Sequence, residues 1–138
     1  MYFREKTAWA ALISILVGFG TYFATLAYGQ ATGRATPDYY AGLLVVVVLC
    51  VTIAMAIFGI VSAIRTPEEA RALADERDRA IDARATRAAY FVLLIGTLSS
   101  AAAAWLGGLF WVLNGLLASI VLAEVIRYGT MIRHYRRA

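Results

Sequence analysis

The sequence predicts an all-α, four-transmembrane-helix bundle, and three observations lead to this fold class. Apolar residues make up 62% of the 138-residue chain and charged residues only 16%, which is far from the balance of a soluble domain. Uncharged runs long enough to cross a bilayer lie on both sides of one charged stretch, residues 66–87. Lysine and arginine are divided very unevenly among the connecting segments. We therefore expect a single integral membrane domain over residues 1–138.

The first two spans are predicted over about residues 9–28 and 40–64. An α-helix rises about 1.5 Å per residue, so about twenty residues match a hydrocarbon core of about 30 Å. Uncharged sequence from Thr7 to Gly33 is longer than the core of a signal peptide, which favours a retained first span. Residues 45–48 are all valine, but an isolated strand leaves its backbone unpaired in lipid. The second span is therefore expected to be helical.

Residues 88–123 form an uncharged run that is nearly twice as long as one span, so the chain must fold back within it. Two pairs contain turn-forming residues, Gly107-Gly108 and Asn114-Gly115. A turn at the second pair would draw Glu124 toward the middle of the membrane, where a charge costs about 2.5 kcal/mol or more. We therefore predict a bend at Gly107-Gly108, with the third and fourth spans over about residues 88–106 and 109–126.

The distribution of basic residues predicts the orientation. Twelve of the thirteen lysine and arginine residues lie in the amino-terminal, central and carboxyl-terminal segments, whereas only Arg34 lies in the other connections. The positive-inside rule then places both termini and the central segment in the cytoplasm of a bacterial inner (plasma) membrane. Contact with anionic membrane lipid is expected for the basic tail, residues 133–137.

The charged stretch is predicted to form a cytoplasmic helix over about residues 67–87, between spans 2 and 3. Thr66 is placed to cap it, Pro67 is tolerated at the first helical position, and Glu69 completes a capping box. No glycine or proline follows until Gly96, so this helix can continue into the third span. Because the stretch is the only sizeable segment that must lie in water, it is the expected docking site for a partner. The candidate residues are Asp75, Glu76, Arg77, Asp78, Arg84 and Arg87.

Other functions for these charges are less favoured. Asp75, Asp78 and Asp82 share a helical face that can bind a metal or move protons, but interleaved arginines favour a solvated charged face. Basic and acidic residues balance in this stretch when Arg65 is included, which argues against direct binding of nucleic acid. The chain shows no nucleophile, phosphate-loop, dinucleotide or zinc-ligand motif. We therefore expect no enzyme activity, cofactor or metal.

Glu124 is the only acidic residue inside the apolar part of the chain after the central stretch. Folding the chain about Gly107 brings Glu124 level with Tyr90, one turn above Arg87. Ionisable groups in a membrane usually pair, so the sequence predicts an ion pair between Glu124 and Arg87. A proton-coupled role for Glu124 is the alternative.

A resemblance to a known family adds a further expectation. The run Asp75-Glu76-Arg77-Asp78, followed by Ile81, Arg84, Arg87 and Tyr90 and then an apolar hairpin, resembles a family of small, uncharacterised four-span bacterial membrane proteins. The resemblance implies a membrane partner or inhibitor of a helix-turn-helix transcription regulator. The length is also similar to that of small multidrug resistance transporters. However, those use a glutamate within the first span, and this chain has only Glu5, outside it.

Together these patterns predict a non-enzymatic regulatory or scaffold subunit, either a homo-oligomer or bound to a companion protein. Its charged cytoplasmic helix is expected to bind a partner such as a transcription regulator. The alternative is an oligomeric small-solute transporter or channel, in which Glu124 or Asn114 would line a hydrated path.

Overall fold

A computed structural model describes residues 3–34, 36–65, 67 and 75–136, and of residues 3, 37 and 103–107 it describes the backbone only. Three helices account for nearly all of this: α1 over Phe3–Ala31, α2 over Pro37–Arg65 and α3 over Glu76–Arg136. Helix α1 ends in a left-handed turn at Gly33 (φ 68°), where the Arg34 amide donates to the Gly29 carbonyl at 2.9 Å.

The helices provide four candidate membrane spans, Arg4–Ala31, Asp38–Arg65, Glu76–Ala102 and Gly108–Arg136. Each is 27 to 29 residues long, which is more than the roughly 20 residues that a hydrocarbon core requires. The all-α class and the four spans are confirmed. The helices exceed the predicted spans at their ends because charged and aromatic residues continue each helix beyond the apolar core.

The bend between the third and fourth spans lies where the sequence predicted it. Within α3, Gly108 has non-helical angles of φ 71° and ψ 176°, a conformation open to glycine and strained for other residues. The alternative turn, Asn114-Gly115, lies inside the helix that follows the bend. The Asn114 side-chain amide donates to the Phe110 carbonyl, one turn earlier, at 2.9 Å. We call the segments of α3 before and after the bend its two arms.

The two arms pack closely through a reciprocal pair of glycines and serines. A Cβ added to Gly96 would lie 2.6 Å from Ser119 Cβ, and one added to Gly115 would lie 2.7 Å from Ser100 Oγ. Each serine hydroxyl also donates to the carbonyl of the glycine four residues before it, from Ser100 to Gly96 at 2.8 Å and from Ser119 to Gly115 at 2.7 Å. Small residues therefore bring the backbones together while the hydroxyl groups remain satisfied.

Helix α1 lies at the centre, because it packs against both α2 and the arms of α3. Its contact with α2 is close at Gly18, which faces Val47 and Val51, and at Gly29, which faces the Tyr40 hydroxyl. The buried residues of this half of the molecule form one cluster. Its members are Tyr22, Leu26, Tyr40 and Val47.

The prediction of a separate cytoplasmic helix between spans 2 and 3 is wrong for the residues that the structure describes. From Glu76 onward the charged residues form the first turns of α3, which continues into the third span without interruption. The helix is capped by Asp75, whose side-chain oxygen accepts a bond from the Asp78 amide at 2.6 Å. Continuity is favoured because no glycine or proline separates Glu76 from Gly96. The predicted caps Thr66 and Glu69 lie outside the described residues.

Candidate functional site

Charged side chains from α1 and both arms of α3 meet at one end of the bundle, which we call the ionic end. Asp78 is central there. One of its carboxylate oxygens lies 3.2 Å from Arg4 Nε, and the other accepts a hydrogen bond from the Tyr135 hydroxyl at 2.8 Å. The start of α1 and both ends of α3 are therefore on the same side of the bundle.

A second ionic contact joins the same elements. Glu5 is only 7% exposed, and its carboxylate lies 3.8 Å from Arg136 Nε. The Arg136 guanidinium also lies over the Trp9 ring, 5.1 Å from its centroid, which is within the range of a cation–π interaction. Burial of a carboxylate is costly unless a partner compensates it, so Arg136 is a structural counterion for Glu5.

Arg127 contacts one carboxylate on each arm of α3, near the ionic end. Its guanidinium lies 3.2 Å from Asp82 on the first arm and 3.9 Å from Glu124, three residues earlier on its own arm. The structure thus brings Glu124 together with Arg127, and an ion pair between Glu124 and Arg87 is absent among the described residues. The facing positions of Gly96 and Ser119 put Glu124 level with Phe91, within one residue of the predicted register, and Glu124 contacts Arg127 one turn along its own arm. The Glu124–Arg87 pair stays a prediction.

The beginning of α3 separates its charges between two faces. Asp78 and Asp82 are half-buried and point to Arg4, Tyr135 and Arg127, alongside the buried Ile81 and Ala85. Four arginines of this segment are exposed instead. Three of them lie on one side of the helix, because they are separated by seven and three residues. We call these three the basic face: Arg77, Arg84 and Arg87.

The predicted docking residues are therefore not equivalent in the structure. Arg77, Arg84, Arg87 and Glu76 are exposed. Asp75 is also exposed, although its side chain caps the helix, and Asp78 is engaged with Arg4 and Tyr135. The sequence suggested a balanced surface, whereas the exposed side chains of residues 75–87 carry mainly positive charge.

The opposite end of the bundle is lined by aromatic side chains, and we call it the aromatic end. The Tyr22 hydroxyl donates to the Asn114 side-chain oxygen at 2.8 Å, linking α1 to the fourth span. Tyr40, at the start of α2, donates to the Thr25 carbonyl at 3.3 Å. The transporter alternative has Asn114 lining a hydrated path, and in the structure its side chain forms a hydrogen bond between two helices.

A pocket of about 280 Å³ lies at the aromatic end, between α1, the start of α2 and the fourth span. Sequence analysis did not identify it. Its residues are far apart in the chain, and only the unusual presence of an amide in an apolar span gave a signal. The polar residues that line it are Tyr22, Asp38, Tyr40 and Asn114.

Comparisons of the chain with known protein families, curated proteins and solved structures give no match. The resemblance of residues 75–90 to a four-span bacterial family therefore stays a prediction. The length and apolar character of the four helices support a coarser assignment. The chain is a small four-span integral membrane protein.

Proposed function

We propose that the chain is a non-enzymatic membrane subunit that docks a cytoplasmic or membrane partner through the basic face. The observation that carries this proposal is the separation of charge at the start of α3. Asp78 and Asp82 are paired with Arg4 and Arg127 of other segments, while Arg77, Arg84 and Arg87 are exposed and form no ion pair among the described residues. Residues 75–87 carry equal numbers of acids and arginines, but their exposed side chains are mostly arginines.

The partner that fits this surface has an acidic patch next to the membrane. Arg77 and Arg87 are ten residues apart, so they extend over about 15 Å of helix. Arg87 adjoins the apolar part of the third span, and Arg77 is the farther from it. Guanidinium groups bind carboxylates in a defined bidentate geometry, so this array favours an acidic helix or loop as its ligand. Electrostatic attraction also speeds association and weakens as salt is added.

Reversal of charge on the basic face provides the test. The protein is purified in mild detergent as the original chain, as Arg77→Glu/Arg84→Glu, and as Arg133→Glu/Arg136→Glu, and associated proteins are measured by quantitative mass spectrometry. We expect the first double variant to lose a partner that the original chain captures at low salt. The second double variant changes the charge by the same amount at the end of α3, but it also breaks the contact between Arg136 and Glu5. Arg133→Glu leaves that contact intact, so it is purified as a further control and should retain the partner.

Two results would contradict docking through this face. One is retention of the same partners by Arg77→Glu/Arg84→Glu. The other is recovery of the protein alone, together with flux of an ion or drug in liposomes, which would favour the alternative function of a small-solute transporter or channel.

Two contacts favour docking over transport. Glu124 lies 3.9 Å from Arg127, and Asn114 is bonded to Tyr22, so the polar groups proposed to line a path have internal partners. If the chain nevertheless transports a solute, Glu124→Gln should abolish flux in liposomes without changing the fold. If Glu124 is only structural, flux through that variant should be unchanged.

A further inference from the structure

The pocket at the aromatic end has the size and chemistry of a small-molecule site. Its volume is about 280 Å³, just below the range of about 300–1,000 Å³ for ligand pockets, so it suits only a small ligand. Residues from three separate spans line it, so it exists only in the folded bundle. Apart from one carboxylate, one amide and two phenolic hydroxyls, its lining is apolar.

Three aromatic residues line the pocket and are fixed by contacts with their neighbours. Tyr22 donates to Asn114, Tyr40 donates to the Thr25 carbonyl, and the Tyr40 and Phe110 rings meet edge to face with centroids 6.3 Å apart. Tyr22 and Tyr40 are almost completely buried. Because these rings are held in place before any ligand binds, little ordering entropy is lost on binding.

Asp38 gives the pocket its charge. It lies in the first turn of α2, is exposed, and forms no ion pair with a basic residue in the part of the chain that the structure describes. The helix dipole places about half a positive charge at the start of α2, whereas the carboxylate carries a full negative charge. Arg34, the other charged residue of this connection, is not among the residues that line the pocket. The charge that lines the pocket is therefore negative and complementary to a cation.

The geometry points to a binding site for a small organic ammonium ion that carries an apolar substituent. Its charge would lie beside Asp38, and its apolar group would fill the space toward Leu117 and Phe110, the one aromatic ring of the pocket that is partly exposed. An aromatic ring attracts an ammonium ion that lies over its negative face, so the Phe110 ring adds to the attraction of the carboxylate. The ligand is either a free amphipathic ammonium or the ammonium of a lipid headgroup.

This site is independent of the docking function proposed above, because the basic face lies near the ionic end and the pocket at the opposite end of the first span. The two proposals can therefore fail separately. Variants of Asp38 should leave partner capture unchanged, and variants of Arg77 should leave binding at the pocket unchanged.

Binding of radiolabelled benzyltrimethylammonium to the full chain in maltoside micelles tests the site. We expect saturable binding with one site per chain. Neopentylbenzene is the uncharged carbon analogue of the same shape and should compete about tenfold less well than unlabelled probe. No saturable binding, or equal competition by the uncharged analogue, would overturn the proposal.

A pair of matched variants tests the role of the carboxylate. Asp38→Asn should weaken binding of the probe by about threefold to fivefold, because it removes a partly solvated charge pair. Glu76→Gln removes an exposed carboxylate from the first turn of α3 and should leave binding unchanged. Circular dichroism and gel filtration check that both variants fold. Equal affinities of the original chain and a folded Asp38→Asn variant would contradict the assignment of Asp38.

Dodecylphosphocholine, added to the maltoside micelles, distinguishes the two sources of the ammonium group. Competition with the probe in the original chain, reduced in Asp38→Asn, would assign the site to a lipid headgroup. Unchanged binding of the probe would assign it to a free ammonium ion. Either outcome supports the shared chemistry.

Discussion

Asp78 is the residue on which the ionic end depends most, because its two carboxylate oxygens serve different elements. One contacts Arg4 of α1 at 3.2 Å and the other accepts from Tyr135 of the last turn of α3 at 2.8 Å. We expect Asp78→Asn to lower the free energy of unfolding by about 1–3 kcal/mol, since hydrogen bonds to charged groups are of this size. Titration with SDS measures this loss.

Glu76→Gln is the matched control for Asp78→Asn. It removes an acid from the same first turn, but Glu76 is exposed. Its effect reports the interaction with the helix dipole alone, about 0.3–1 kcal/mol. A double-mutant cycle with Tyr135→Phe then isolates the hydrogen bond. Equal losses in the two acid variants would show that the contacts of Asp78 contribute nothing.

The contacts of Asp78 and Asp82 could not be predicted from the sequence. Both acids were expected on a solvated face, because arginines alternate with them and local pairing accounts for such a pattern. In the structure Asp82 pairs with Arg127, forty-five residues away, and Asp78 bonds to Tyr135, fifty-seven residues away. Such pairs depend on the rotation and register of the arms, which local spacing does not determine.

At the scale of elements, the hairpin depends on the reciprocal contact between Gly96 and Ser119 and between Gly115 and Ser100. We expect Gly96→Ala to destabilise the protein by about 1–3 kcal/mol, because its methyl group would approach the Ser119 Cα to 3.2 Å as well as the side chain. The thermal midpoint in detergent checks the direction, and titration with SDS gives the magnitude.

Two further variants test whether the space at Gly96 is the cause. Gly20→Ala places the same methyl group where nothing lies within 4 Å, and it should be neutral or slightly stabilising. In Gly96→Ala/Ser119→Gly, the missing side chain makes room, and part of the lost stability should return. A loss of stability in the double variant equal to the sum of the single losses would argue against direct packing.

The bend itself depends on the conformation of Gly108. Its φ of 71° and ψ of 176° lie in a region that is essentially restricted to glycine, so Gly108→Ala should cost about 1–3 kcal/mol. Gly129→Ala is the control, because Gly129 is helical and nothing lies within 4 Å of an added Cβ. The SDS concentration at the midpoint of unfolding should therefore fall for Gly108→Ala and rise for Gly129→Ala. A rise for Gly108→Ala would contradict the strained bend.

The bend was predictable for a physical reason that the arm contacts do not share. An uncharged run too long for one span must turn, and the cost of burying Glu124 excluded the later glycine. The close packing of Gly96 on Ser119 was not predicted, because small residues are frequent throughout the spans and only the register identifies which of them meet. Similarly, the start of α3 at Glu76 depends on Asp75 as its cap, and several acids in this stretch were equally suitable.

At the scale of the whole molecule, α1 is the common partner of α2 and α3, whereas α2 is the outermost element. Most large side chains along α2 are exposed, including Val45, Ile53, Ile60 and Ile64. The face of α2 that carries Tyr40 and Val47 packs against α1, and lipid is the natural solvent for the rest of its apolar surface. The ionic contacts instead join α1 with the arms of α3.

The direction in which the bundle crosses the membrane is the last prediction, and only two even-span arrangements are compatible with the contacts. Arg4 pairs with Asp78 and Glu5 with Arg136, so the start of α1, the start of α3 and its end share one side. The positive-inside rule places this side in the cytoplasm.

In a Cys50→Ala background, an impermeant maleimide should label Thr36→Cys but not Glu76→Cys in intact spheroplasts, because these exposed residues lie at opposite ends of the bundle. Permeabilisation should make both accessible. Labelling of Glu76→Cys alone would show the opposite orientation, in which the basic face cannot reach a cytoplasmic partner. Labelling of both variants in intact spheroplasts would contradict the fold itself.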